Sequence, residues 1–335
     1  MIGPETVVIG NRGEIFVLTE EAKLVQLTEL EPQSDGVTIM ANAIEIMSLG
    51  MGRPLGGSFT RDGTLYIADT LLGLVRVKKP LDPHAKVELV ASRVKVDGMW
   101  SPILFCDDLV VGPKTGKIYF SDATDMAPDR IGTNTWDVLY TAKMDLLRGS
   151  RTGRLLEFDP TTNQVKVLVS NLWFANGVAV DKDEKYIVIS ETCRGRVLKY
   201  SLMDGTTSVV IEKLTGYTDG ADCNHETGLC YVPVPSSASP LVNFLFALPK
   251  PLDRFLRLLL MLLPRSMVPK LERYGGVYEF FPGDETRPAE VTKLLQDPKG
   301  SDIAALTGVT VHGNKVYLGS LHNKFIGVYD LKQKI

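Results

Sequence analysis

Asn171–Tyr200 reads NLWFANGVAVDKDEKYIVISETCRGRVLKY and holds one complete unit of a pattern that runs the length of the chain. Asn176 opens a short apolar strand, Gly177–Val180. A polar turn follows at Asp181–Lys185, then a second strand at Tyr186–Ser190. The loop Glu191–Arg196 leads to a third strand, Val197–Tyr200. Alternation and β-branched residues at this spacing, broken by turn chemistry, predict an antiparallel meander.

The unit recurs five more times. It is PETVVIGNRGEIFVL at Pro4–Leu18, PLGGSFTRDGTLYIAD at Pro54–Asp69 and DDLVVGPKTGKIYFSD at Asp107–Asp122. It returns as DGADCNHETGLCYVPV at Asp219–Val234 and TGVTVHGNKVYLGSL at Thr307–Leu321. Each is a strand, a tight turn usually holding Gly, and a second strand with Tyr or Phe near its start. Six units in 335 residues leave roughly 56 residues each, the length of a four-stranded propeller blade. The expectation is an all-β chain, a single six-bladed β-propeller over residues 1–335. A large β-sandwich with accidental internal similarity is the alternative.

Composition narrows the function classes. The chain is 44% hydrophobic and 23% charged, as ordinary globular proteins are. A net charge of -3 without a basic stripe argues against nucleic acid as a partner. The four cysteines lack zinc-ligand spacing. Cys223 and Cys230 flank the turn His225–Gly228, where a disulfide and two free thiols are both open. The absence of an Asn-x-Ser/Thr sequon weighs against a glycosylated secreted protein. No signal peptide or N-terminal membrane span is legible, and with the first strand so near Met1 this leaves the compartment open.

Two segments break the rhythm. Asp125–Arg151 is long and mixed, and is expected to be an extended loop over one end. Pro240–Tyr274 contains LVNFLFAL and LDRFLRLLLMLLP, a helical pattern interrupted by Pro249, Pro251 and Pro264. No apolar run there reaches the ~18–20 residues that a spanning helix needs. Within Leu252–Leu263, positions 252, 255, 256, 259, 260, 262 and 263 are apolar, against Asp253, Arg254 and Arg257. This amphipathic insertion, 240–274, is expected either to fold down as a lid on the channel mouth or to lie in a membrane interface with its arginines at the headgroups. A helix simply packed on its own blade is the alternative.

In a propeller the first strand of each blade lines the central channel, and the residue that starts it points at the axis. Those positions carry Glu5, Leu55 (with Arg53 nearby), Asp107 (or Asp108), Asn176, Asp219 and Thr307. Four of them offer hard oxygen donors, and none offers sulfur or imidazole, a set that suits Ca²⁺. Any one alone could be capping a strand end. Three carboxylates gathered on an axis without a cation would repel one another. The expected metal ligands are therefore Glu5, Asp107 (or Asp108), Asn176 and Asp219. The ends of the second strands, Asp69, Asp122, Glu191 and His322, return to the same rim. Asp69 and Asp122 are expected to bond their following turns, and His322 is a candidate base. His84, His225 and His312 sit in loops or turns. There is no Gly-x-Ser-x-Gly elbow, so a serine nucleophile is not expected.

Several motifs resemble a known family. They are GPE at Gly3–Glu5, GRPLG at Gly52–Gly56, YIAD at Tyr66–Asp69, TGRLLEFDP at Thr152–Pro160, FANGVAV at Phe174–Val180 and VYLGSL at Val316–Leu321. In this order they look like the strictosidine-synthase-like family, in its adipocyte plasma-membrane-associated protein branch. That branch belongs to a wider group of six-bladed propellers with paraoxonases and gluconolactonases. In that group a Glu, two Asn and an Asp bind a catalytic Ca²⁺, and the positions they resemble here are Glu5, Asp107, Asn176 and Asp219. Asp107, in FCDDL, departs from the usual Asn. The resemblance also places the acid/base Glu of true strictosidine synthases twelve residues before Gly319, at Thr307, whose hydroxyl cannot serve that role.

The resemblance thus implies a Ca²⁺-dependent hydrolase of esters or lactones, of the arylesterase or lactonase type. Asp219 or Asp107 would orient or deprotonate the attacking water. Two other readings stay open: a non-catalytic, membrane-associated binding propeller with a structural calcium, and a condensing enzyme using a different base. Membrane association on the endomembrane or extracellular side is implied by the same resemblance.

Overall fold

The computed structural model describes residues 4–34, 38–133, 135–268, 271–321 and 323–332. The six repeated units are the inner hairpins of six blades. They pair Thr6–Ile9 with Ile15–Leu18, Pro54–Phe59 with Thr64–Asp69, and Cys106–Val111 with Ile118–Asp122. Ala175–Val180 pairs with Tyr186–Glu191, Asp222–Cys223 with Cys230–Val234, and Leu306–His312 with Lys315–Ser320. Five blades are four-stranded antiparallel sheets; the sixth has three strands among the described residues. The inner strands neighbour one another in chain order, and the first lies against the last, so the ring is closed.

Each blade is sandwiched between two others, which explains its sequence. Second strands are buried on both faces, every residue of Thr64–Asp69 and Ile118–Asp122 being buried, so they read as continuous runs rather than alternation. The apolar core divides into one cluster for each blade–blade interface. Tyr66, Phe120 and Phe158 fill the space between blades two and three, and Val188, Val232 and Phe280 that between four and five. The cluster joining blades one and six, built on Val7, Ile15 and Tyr317, is the smallest. Hydrogen bonds reinforce that joint: Ser320 N–H to the Pro4 carbonyl at 3.0 Å and the Thr310 hydroxyl to the Val7 carbonyl at 2.6 Å. A Cβ on Gly319 would fall 1.6 Å from the Glu5 carbonyl oxygen, so only glycine allows this approach.

Two carboxylates latch neighbouring blades. Asp108 accepts the N–H of Leu109 at 2.8 Å and, from blade four, that of Val178 at 2.9 Å. Asp222 repeats the device, accepting Cys223 N–H at 2.8 Å and Val311 N–H of blade six at 2.7 Å. Cys223 and Cys230, cross-strand partners, form a disulfide, which resolves the alternative the sequence left open.

The two irregular segments differ from expectation. Asp125–Arg151 is not simply an extended loop. It holds a two-residue ribbon, Asp129–Arg130 with Trp136–Asp137, and an α-helix, α1, at Val138–Arg148. Asp137 caps it by accepting the Tyr140 N–H at 2.9 Å, and Gly149 ends it with φ 66°. The polar residues that disguised this helix are partly internal. Asp145 is buried, accepting the Thr124 hydroxyl at 2.8 Å, the Ser150 hydroxyl at 2.6 Å and Arg148 at 2.8 Å.

The insertion forms α2, Pro240–Ala247, and α3, Leu252–Met261. The side of α3 that faces inward is the charged one. Asp253 and Arg257 are buried, whereas Leu252, Phe255, Leu258 and Leu259 are exposed. Its apolar face therefore does not fold down over the channel as a lid. The cause lies in α1: Arg257 donates to the Leu147 carbonyl at the α1 C-terminus, pairs with Asp253 at 3.3 Å and stacks on Phe246 at 4.2 Å. Among the described residues no helix is long and apolar enough to cross a membrane.

Candidate functional site

Four of the axis-facing residues owe their direction to bulges. Register slips between Cys106 and Leu109, between Ala175 and Val178, between Leu306 and Val309, and between Pro54 and Gly56. Each slip brackets one candidate position: Asp107, Asn176, Thr307 and Leu55. A bulge sets two residues against one and bends the strand, which turns a side chain out of the sheet and towards the channel. Asp219 is placed differently, by backbone bonds from its N–H to the Pro233 carbonyl and from Gly177 N–H to its own carbonyl, both 3.1 Å. A Cβ on Gly177 would lie 2.2 Å from the Gly220 carbonyl carbon, so blades four and five meet here through glycine.

Glu5, Asp107, Asn176 and Asp219 come together at one end of a single cavity of about 620 Å³, its open mouth included. The same four, with Thr307, line a smaller hollow of about 280 Å³. Around them the cavity wall is apolar. Leu55, Phe105, Phe174 and Tyr217 come from the blades, and Val138, Leu139, Ala142 and Leu146 from α1. The sequence, which predicts a loop at Asp125–Arg151, does not disclose the part of this wall that α1 supplies. It also missed Lys143, the one Lys or Arg among the lining residues.

The floor is electrostatically loaded. Burial, then the negative charges of Asp219 and Glu5, push the Asp107 carboxyl well above its ordinary range. Burial and then Glu5 do the same to Asp219, opposed by a hydrogen bond from the Asn176 carboxamide. Glu5 is pushed up to about 7 by burial, which outweighs the opposing pull of Arg53. That guanidinium is itself buried, with Nη2 3.6 Å from Glu5 Oε2. Two acceptors here, Glu5 Oε2 and Asn176 Oδ1, are buried without a hydrogen-bond partner, an arrangement that is costly unless something electropositive meets them.

Hard oxygens, orphaned acceptors and mutual repulsion together fit a bound Ca²⁺. Among the described residues no three His, Cys, Asp or Glu side chains stand grouped at metal-holding spacing. The fourth donor, Asn176, is an amide.

The other candidates are structural or lie elsewhere. Asp69 accepts Leu71 and Leu72 N–H groups at 3.0 and 2.9 Å. Asp122 accepts those of Leu104 and Phe105 at 3.2 and 3.0 Å and pairs with Arg154. Glu191 accepts Trp173 N–H at 2.7 Å and pairs with Arg196. All three close loops instead of facing the cavity. Asp108, the alternative to Asp107, is taken up by the latch to blade four. His322 lies outside the described residues.

Comparisons with known proteins bear on the family and the fold. The strictosidine synthase family model matches residues 107–205. The protein strictosidine synthase-like 3 of Arabidopsis thaliana is 30% identical over 284 residues, covering 84% of this chain and 67% of that one. Adipocyte plasma membrane-associated protein of Rattus norvegicus is 29% identical over 280 residues, covering 82% and 69%. Among solved structures, a gluconolactonase from Xanthomonas campestris superposes with TM-score 0.59 at 11% identity, over 96% of this chain and 84% of that one. The calcium-binding protein regucalcin from Agrobacterium tumefaciens does so with TM-score 0.54 at 12% identity, over 95% and 82%. At such low identity the two structures show the fold alone. The sequence likeness goes further, and on it this six-bladed propeller belongs to the strictosidine synthase-like family.

Proposed function

We propose that this protein hydrolyses an ester or lactone of a largely apolar molecule, with Ca²⁺ held on the propeller axis by Glu5, Asp107, Asn176 and Asp219. The observation that carries the reading is an apolar cavity ending in that quartet. It is supported by the gluconolactonase and the calcium-binding protein that share the fold. A bound Ca²⁺ supplies Lewis-acid stabilisation of the oxyanion that develops at an attacked carbonyl. The chain's own residues do the rest. The Phe105, Phe174 and α1 side chains seat the apolar part of the substrate and exclude bulk water. Asp107, ionised in the Ca²⁺-loaded site, accepts a proton from the attacking water. Asp219, fixed by Asn176, orients that water. Thr307, in the hollow beneath, offers no carboxylate for amine–aldehyde condensation.

The test is turnover of phenyl acetate and simple lactones with Ca²⁺ and with chelator. Hydrolysis that chelator abolishes and Ca²⁺ restores is expected, with no condensation of tryptamine with an aldehyde. Turnover unchanged by complete metal removal would overturn the reading. Tight Ca²⁺ binding without any turnover would instead favour a binding propeller with a structural ion, the reading kept open by the membrane-associated relatives.

A further inference from the structure

Helix α1 turns one stripe to the cavity, Leu139, Ala142, Lys143 and Leu146, at the three- and four-residue spacing of a single helix face. Another side of the helix is also covered: Met144 and Leu147 are buried in a cluster with Leu260 and Met261 of α3. Lys143 therefore stands half-buried in the middle of an otherwise apolar stripe, where packing alone calls for another apolar residue. Among the described residues it is the only Lys or Arg that lines the cavity. Arg53, the cation nearest the quartet, pairs with Glu5 and is not part of the lining. The hollow that holds the quartet and Thr307 has no α1 residue in its wall, so Lys143 lies towards the other end of the cavity.

The polar groups of that wall are of one kind. The Ser236 hydroxyl is spent on the Ser237 carbonyl, to which it donates at 3.1 Å. The Tyr217 hydroxyl accepts the Ser239 N–H at 3.3 Å, which leaves its own proton to give. Thr192 is only 9% exposed, and its hydroxyl oxygen is buried without a hydrogen-bond partner. A buried hydroxyl in that state is costly unless a ligand meets it. An ammonium has three donors and no acceptor, and both hydroxyls can donate. The floor of the cavity thus offers acceptors, and the wall offers donors and a positive charge. Donors of this kind bond an ionised acceptor roughly twice as strongly as a neutral one.

We propose that Lys143, with the Thr192 and Tyr217 hydroxyls, forms an anion subsite that takes a carboxylate of the substrate. The inference rests on the hydrolase reading and narrows its substrate class. The molecule is an ester or lactone whose apolar body also carries a carboxylate, with its reacting carbonyl at the quartet and its carboxylate at α1.

Titration of the chelator-stripped protein with 2-naphthoate and with 2-naphthamide tests the subsite without turnover, because the floor then offers an anion no cation. Naphthoate should bind roughly tenfold more tightly than the amide. Lys143→Met should remove that preference, Lys143→Arg should keep it, and Thr192→Val should weaken naphthoate binding a few-fold. Unfolding temperatures close to wild type should show that the variants fold. In turnover, kcat/KM for 4-acetoxybenzoate relative to 4-acetoxybenzamide should fall roughly tenfold in Lys143→Met, chiefly through KM. A wild type that binds the two naphthyl ligands equally would overturn the proposal, as would a folded Lys143→Met variant that keeps the preference. A preference for naphthoate with no turnover of either acetoxy ester would leave the subsite standing and overturn the hydrolase reading; turnover without any preference would do the reverse.

Discussion

The cavity has a floor and a roof, and the two treat charge in opposite ways. On the floor, Glu5, Asp107 and Asp219 are acidic groups brought together from three blades, and no pairing among the described residues neutralises them all. In the roof, Asp253 and Arg257 are also buried, but as opposite charges that pair with each other, with Arg257 donating to the Leu147 carbonyl at the α1 C-terminus. A charge-balanced contact is a structural latch; a cluster of like charges is a place for a ligand. The same comparison explains why Leu252, Leu258 and Leu259 of α3 point outwards, while Leu260 packs beside the latch against α1. The latch takes the inward side of the helix.

The largest expected effect breaks the roof. Arg257→Met leaves Asp253 buried without its partner and should cost about 3–5 kcal/mol of stability, read by denaturant unfolding. The double variant Asp253→Leu/Arg257→Met should recover most of that loss, because it leaves no uncompensated charge. Neither should weaken Ca²⁺ binding, which belongs to the inner strands.

Next comes the floor. Asp219→Ala should lower kcat/KM for the best ester about 100-fold or more, some 2.7 kcal/mol of transition-state stabilisation. Unfolding of the metal-free protein should change little in comparison, or the variant should even gain stability, because a repelling carboxylate is gone. A variant that keeps full activity would move the chemistry away from this quartet.

The pH dependence sharpens the contrast. Glu5 titrates near 7 in the folded protein, and Asp107 and Asp219 are also raised. The metal-free folded state therefore holds protons that the unfolded chain releases above its ordinary carboxylate range. Its stability should fall as pH rises from about 4.5 through 7. Ca²⁺ binding needs the ionised forms, so the rise in unfolding temperature that Ca²⁺ confers should be larger at pH 8 than at pH 5. Equal Ca²⁺ effects at the two pH values would mean that these carboxylates do not meet the ion. The smallest effect is expected in the wall: Leu139→Ala should raise KM for bulky esters a few-fold and leave kcat nearly unchanged.

Much of this was legible beforehand, for local reasons. The six inner hairpins announce themselves because strand, Gly turn and Tyr-bearing second strand are all contiguous in sequence. The quartet was legible as the residues that begin those strands. What was not legible depends on distant partners. FCDDL does not say whether Asp107 or Asp108 faces the axis; Asp108 is withdrawn by the Val178 amide of the next blade. The heptad-like pattern of Leu252–Leu263 says which residues share a face, yet the choice of inward face is made by the Leu147 carbonyl and Phe246. Helix α1 was missed because Lys143, Asp145 and Arg148 read as loop polarity, although Asp145 is buried in a network of its own. The bulges that aim Asp107 and Asn176 leave no plain mark in composition.

The central claim is that the axial oxygens hold a cation, and calorimetric titration of chelator-stripped protein with Ca²⁺ tests it most directly. The account predicts one ion bound per chain, with affinity at least about tenfold weaker in both Asn176→Ala and Asp219→Ala. No binding by the wild type, or unchanged affinity in both variants, would contradict it.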